Sequence, residues 1–107
     1  MGLAFACVKD TEYHGFRYLV EGNIPVQITY EVSGSQISMQ VHLAGSWQVP
    51  FSGKYGDEYY IEVNKIVDST RTNPVKITVL NDDTGALLDF QNCEELNCVL
   101  RGILRKD

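Results

Sequence analysis

The chain has 107 residues, of which 44% are hydrophobic and 21% are charged, and its formal net charge is −5. These values are typical of a single globular domain and exclude an intrinsically disordered protein. The acidic balance argues against a surface that binds the phosphate backbone, so no nucleic-acid partner is expected. No apolar run in the sequence reaches the roughly 18 residues that a membrane-spanning helix needs.

The chain begins with an apolar segment, MGLAFACV, at residues 1–8. The order Ala-Phe-Ala-Cys resembles the end of a bacterial lipoprotein signal, in which the cysteine is acylated after cleavage. We therefore predict that Cys7 is a lipidation site and that residues 1–12 are a lead-in, the remnant of a signal and a tether. The alternative is that residues 2–8 form a first strand packed on the sheet. In both cases the folded domain is expected to span residues 13–107.

The clearest structural signal lies in residues 25–43, where apolar and polar side chains alternate on both sides of Gly34-Ser35. This pattern predicts an antiparallel hairpin with that pair as its two-residue loop, in a type II′ turn that favours glycine first. The register then pairs Val32 with Ile37 and Val26 with Leu43. One face of both strands is expected to lie in the core, and the other is expected to face water.

Shorter alternating segments predict further strands at residues 16–21, 47–51, 59–63, 75–80, 88–90 and 98–104. Pro50 lacks an N–H group, so its strand should lie at an edge or carry a bulge. Residues 82–85 have the length of a hairpin loop, which places Leu88 and Phe90 opposite Val79 and Ile77.

No segment sustains the 3.6-residue period of a helix. Short strands that each have one apolar face are stabilised when two sheets pack together. The sequence therefore predicts an all-β protein, an antiparallel β-sandwich of seven or eight strands. A small closed barrel is the alternative architecture.

The order of features across residues 18–88 is more specific than the periodicity. It runs YLVEG at 18–22, VQITY at 26–30, VHL at 41–43 with a tryptophan after it, VKITV at 75–79 and DTGAL at 83–87. This order resembles the immunoglobulin-like β-sandwich domain of the mycobacterial membrane protein S family and of similar small bacterial lipoproteins. The resemblance implies an exported, membrane-tethered accessory domain, which in the mycobacterial proteins assists lipid-exporting transporters.

The chain has three cysteines, and two of them, Cys93 and Cys98, are separated by four residues. This spacing can close a small disulfide loop if the turn brings the two Cα atoms within about 4.4–6.8 Å. A bridge between Cys93 and Cys98 with Cys7 left for a lipid fits an exported lipoprotein. In a reducing cytosol all three would be ordinary thiols.

The sequence contains no pattern that indicates catalysis or a cofactor. His14 and His42 have no cysteine or carboxylate at the spacing of zinc ligands, and neither a nucleophile elbow nor a phosphate loop occurs. We therefore predict no enzyme, no metal and no cofactor. The exposed tyrosines Tyr55 and Tyr60 are a candidate binding patch, because tyrosine suits recognition.

Taken together, these features predict a non-enzymatic, exported binding or accessory domain. Its partner would be a protein of the cell envelope, and it would contact the membrane through a lipid if Cys7 is acylated. The alternative is a secreted structural or adhesive module without a specific small ligand. The outward-facing polar side chains of the hairpin are expected to face water.

Overall fold

The computed structural model describes residues 12–66 and 74–107, which contain eight strands and no helix. The strands are β1 (His14–Gly22), β2 (Pro25–Val32), β3 (Ser35–His42), β4 (Gly45–Gly53), β5 (Glu58–Lys65), β6 (Val75–Asn81), β7 (Leu87–Cys93) and β8 (Asn97–Ile103). The first sheet has the order β4-β1-β6-β7 and the second has the order β3-β2-β5-β8, with antiparallel pairing throughout. The eight described strands form two sheets with separate edge strands, so the predicted sandwich is confirmed and these strands do not close into a barrel.

Aromatic rings fill the space between the sheets, because alternate strand residues point inward. Tyr18 and Phe51 stack with their ring centroids 4.3 Å apart, and Phe16 lies 5.7 Å from the same Phe51 ring. Tyr30 of the second sheet lies 5.6 Å from Tyr18 and 5.6 Å from Trp47 of the first sheet. These contacts join the two sheets through side chains that the sequence pattern placed inside.

The tip of the β2–β3 hairpin differs from the prediction. Val32 pairs with Ser35, so the two-residue loop is Ser33-Gly34, and both loop residues have positive φ angles, 52° and 82°. Two positive φ angles define a type I′ turn, in which glycine is favoured in the second position. The predicted type II′ loop at Gly34-Ser35 was therefore wrong. Because the register differs by two residues rather than one, the same side chains still point inward.

The two strands of this hairpin are not equally buried. Val26, Ile28 and Tyr30 of β2 are buried, whereas Ile37 and Met39 of β3 are 39% and 36% exposed. The reason is that β3 is an edge strand of its sheet, and the neighbouring edge of the first sheet, β4, covers it incompletely. Trp47 and Val49 on β4 are likewise only partly buried. We call this side of the sandwich, where β3 and β4 lie, the open side.

On the opposite side, where β7 and β8 lie, covalent and polar contacts join the two sheets. Cys93 and Cys98 form a disulfide between these strands with their Cα atoms 5.9 Å apart, as their spacing predicted. The Tyr59 hydroxyl donates to Asp89 Oδ2 at 2.7 Å, which connects β5 to β7. Burial and this hydrogen bond raise the pKa of Tyr59 to about 12.

The β6–β7 hairpin contains an irregularity that moves one aromatic ring out of the core. Thr78 pairs with Phe90 and Val79 pairs with Asp89, and the register shifts between Val79 and Leu80. The prediction that Phe90 lies opposite Ile77 was therefore wrong, and Phe90 is 49% exposed. Pro50, in contrast, lies on an edge strand as predicted.

The turn assignment leads to a stability test. Replacing Ser33 with asparagine is expected to raise the free energy of unfolding by about 0.5–1 kcal/mol, because Asn-Gly is favoured in a type I′ loop. Urea denaturation of the variant and the parent protein measures this change. The matched control is Ser35→Asn, which is expected to be destabilising since asparagine is unfavourable in a strand. A gain from the Ser35 variant and a loss from the Ser33 variant would contradict the observed register.

The disulfide leads to a second test. Its cysteines are five positions apart in sequence, and closing so small a loop stabilises a fold by roughly 2 kcal/mol in the chain-entropy account. We expect the double variant Cys93→Ala/Cys98→Ala to lose about that much free energy of unfolding. Thermal melting with and without a reductant is the measurement: the parent protein should melt at a lower temperature when reduced, and the variant should not respond. Equal responses of the two proteins would contradict the bridge.

Candidate binding face

The outer face of the second sheet displays an ordered set of neutral polar side chains. Apart from Lys65, the buried positions on β2, β5 and β8 are apolar, so the alternate residues point outward. The pairing places four carboxamides side by side across all four strands: Gln40, Gln27, Asn64 and Asn97. We call these residues the amide row. Each carboxamide can both donate and accept hydrogen bonds, so the row can bind groups of either kind.

The next row contains Glu62, whose carboxylate is held by three neighbours. Asn97 Nδ2 donates to Oε2 at 2.7 Å, the Tyr60 hydroxyl donates to Oε1 at 2.9 Å, and Asn64 Nδ2 donates to Oε2 at 3.4 Å. The bonds from Asn97 and Tyr60 lower the pKa of Glu62. The hydrogen bond to Glu62 in turn raises the pKa of Tyr60. Glu62 is thus kept ionised and Tyr60 protonated, and both side chains have a defined orientation.

Tyr60, one of the two predicted recognition residues, lies at the border of this face. Its backbone N–H donates to the Tyr18 hydroxyl at 3.3 Å, so its main chain is anchored to the core. Its side chain is half-buried and lines an open hollow of about 240 Å³ together with Glu31, Glu58 and Arg101. A tyrosine with a fixed backbone and an accessible ring suits recognition.

Tyr55, the other predicted recognition residue, has different surroundings. Its ring stacks on His14 with centroids 3.8 Å apart and meets the edge of Phe16 at 6.1 Å. Its hydroxyl accepts a hydrogen bond from Asn81 Nδ2 at 3.4 Å. These neighbours all belong to the first sheet, whereas Tyr60 belongs to the second. The structure therefore does not bring Tyr55 and Tyr60 together in one patch.

The histidines lie apart from the amide row or at its margin. His14 Nδ1 is 3.5 Å from Asp83 Oδ2, and His42 is exposed at the end of β3. Within residues 12–66 and 74–107, no group of three or more histidine, cysteine, aspartate or glutamate side chains is placed to hold a metal ion. The same ranges include no helix that is long and apolar enough to cross a membrane. Cys7 lies outside the described residues, and its lipidation stays a prediction.

Sequence reasoning missed most of this face. The outward side chains of the hairpin are largely exposed, as predicted, but Glu62, Asn64 and Asn97 were not considered as a group. Asn97 is 35 residues from Glu62 in the chain, and only the pairing of β5 with β8 brings them together. The alternation of Tyr60 and Glu62 in the strand predicted at residues 59–63, with Asn64 directly after it, was the one local signal that could have indicated the face.

Comparisons with other proteins provide no further assignment. No protein-family model matches this chain, and neither a curated protein nor a solved structure matches it. The resemblance of residues 18–88 to an exported sandwich family therefore stays a prediction, and a function has to be argued from the structure itself.

The hydrogen bonds of Glu62 predict how stability depends on pH. Its pKa is lower in the folded chain, so the stabilisation is fully present above the ordinary value of 4.5 and is lost as pH falls through the folded pKa. Replacing Asn97 with alanine should raise the pKa of Glu62, measured by an NMR titration of its carboxyl group. The variant should lose roughly 0.5 kcal/mol at neutral pH, a low value because the site is partly hydrated.

The stability difference between the parent protein and Asn97→Ala should shrink below about pH 4 as the carboxylate is protonated. Asn92→Ala, which removes an exposed amide from β7, is the matched control and should leave the titration of Glu62 unchanged. An unaltered Glu62 titration in the Asn97 variant would contradict the described network.

Proposed function

We propose that this chain is an exported, non-enzymatic binding domain of the cell envelope, and that it holds a partner protein on the outer face of the second sheet. The observation that carries the proposal is the amide row beside the fixed Glu62 carboxylate. Side chains on a paired strand are positioned more rigidly than side chains on loops. The face thus offers preformed donors and acceptors to the neutral polar groups of a partner.

The roles of the titratable groups in the core favour binding over catalysis. The Tyr18 hydroxyl donates to the main-chain oxygen of Glu31 at 2.8 Å, and burial raises its pKa. Lys65 Nζ donates to the main-chain oxygen of Cys93 at 3.1 Å, and burial lowers its pKa. Perturbed groups of this kind often mark active sites, but here each one joins a strand of the first sheet to a strand of the second. Their hydrogen bonds are sufficient to account for their positions.

Two features support export. The first is the Cys93–Cys98 disulfide, since such bonds persist mainly in oxidising compartments. The second is the order of residues 4–7, which is similar to a lipoprotein signal and would provide a membrane anchor through Cys7. A domain that is anchored to the membrane and exposes one polar sheet face can bind a neighbouring envelope protein directly.

The proposal is tested with unlipidated recombinant protein and isolated envelope fragments of the source organism. Co-sedimentation measures the affinity, and cross-linking identifies the protein that is bound. The double variant Gln27→Ala/Asn97→Ala removes two members of the amide row and should weaken binding about tenfold, the effect of losing one or two hydrogen bonds. Asn92→Ala on the first sheet is the matched control and should bind like the parent protein.

Two results would contradict the proposal. Equal binding by the face variant and the control would show that another surface is used. Failure of the parent protein to bind any envelope component would favour the alternative, a structural or adhesive module without a specific partner.

A further inference from the structure

Within residues 12–66 and 74–107 the sandwich has four edge strands, and three of them carry features that hinder pairing with another chain. β4 contains Pro50, which lacks the N–H donor that pairing requires. On β7 the guanidinium of Arg105 donates to the main-chain oxygen of Leu88 at 2.6 Å, so that acceptor is occupied. β8 contains Arg101, and a charged side chain on an edge disfavours association.

The remaining edge strand, β3, has none of these features. Its sequence, SQISMQVH, contains no proline, aspartate, glutamate, lysine or arginine. Its inward-facing Ile37 and Met39 are exposed on the open side. A long, uncharged edge strand with exposed apolar side chains is the kind that pairs with another strand.

The hairpin geometry shows which main-chain groups of β3 are free to pair. The type I′ turn makes Val32 and Ser35 a hydrogen-bonded pair, and hydrogen-bonded pairs then alternate along the ladder. Ile37 and Met39 therefore bond back to β2. The N–H and C=O groups of Gln36, Ser38 and Gln40 point to the free edge of the sheet.

Gln36, Ser38 and Gln40 also make β3 complementary to the β3 strand of a second copy. The segment QISMQ, residues 36–40, has the same chemistry when read in either direction from Ser38. In an antiparallel pair centred on Ser38, Gln36 meets Gln40 of the second copy, and Ile37 meets Met39 of the second copy. The outward-pointing main-chain groups then lie opposite one another, as an antiparallel ladder requires.

Charge also favours a second copy at this edge over other edges. Each chain has a net charge of −5, so two copies repel at long range. Because residues 36–40 of β3 have no acidic or basic side chain, pairing there places no like charges opposite each other. We propose that two copies of this chain associate through β3 about a twofold axis and join their second sheets into one continuous sheet. This association is independent of the partner bound on the outer face.

Sedimentation velocity of the purified chain over a range of concentrations tests the proposal. The parent protein should change from its 12.0 kDa monomer to a species of twice that mass as concentration rises. Ser38→Pro removes an outward-pointing N–H and the side-chain hydrogen bond to Thr29, but keeps the main-chain bonds of Ile37 and Met39 to β2, and should weaken association at least about tenfold. Ser46→Pro places the same substitution on the other edge strand of the open side, β4, and should associate like the parent protein.

A pair of charge variants keeps the test decisive if Ser38→Pro fails to fold. Ile37→Lys/Met39→Lys and Ile37→Glu/Met39→Glu should each remain monomeric, because like charges meet across the twofold axis. An equimolar mixture of the two should dimerise, because opposite charges then meet. A parent protein that stays monomeric at every concentration would overturn the proposal, as would Ser38→Pro or charge variants that dimerise as well as the parent.

Discussion

The unpaired main-chain groups of edge strands are the constraint on which the rest of this structure depends. A sandwich has four such edges, and each must be covered, blocked or left available. On the side of β7 and β8, the disulfide and the Tyr59–Asp89 hydrogen bond join the two sheets, and Arg105 occupies an edge carbonyl. On the open side Pro50 blocks β4, whereas nothing in the described part of the chain blocks β3. The two sheets are therefore joined on the side of β7 and β8, whereas the edge of β3 is accessible on the open side.

The core and the candidate binding face are physically connected through Tyr18. Its hydroxyl donates to the main-chain oxygen of Glu31 and accepts from the main-chain N–H of Tyr60, so a first-sheet residue bonds to two strands of the second sheet. These bonds satisfy a buried hydroxyl that would otherwise be costly to bury. They also fix the strand that presents Tyr60 and Glu62. The positions of Tyr60 and Glu62 on the outer face thus depend in part on the packing of the core beneath them.

Local patterns in the sequence were sufficient to predict the fold class, the β2–β3 hairpin, the edge position of Pro50 and the Cys93–Cys98 pair. The turn type was not predictable in the same way, because it depends on whether Ser33 adopts a positive φ angle. Phe90 was misplaced since the irregularity beside Val79 has no signature in the alternation. The exposure of β3 and the assembly of the amide row depend on strand order, which brings together residues far apart in the chain. Short-range periodicity contains no information about that order.

The central claim is that β3 is the free edge through which this chain pairs, while the side of β7 and β8 is closed. Residue-resolved amide hydrogen exchange at low and high protein concentration measures this most directly. If β3 pairs with a second copy, the N–H groups of Gln36, Ser38 and Gln40 should exchange quickly in dilute protein and become protected as concentration rises. The N–H groups of Ile37 and Met39 should be protected at both concentrations. Exchange at Gln36, Ser38 and Gln40 that does not depend on concentration would show that β3 does not pair.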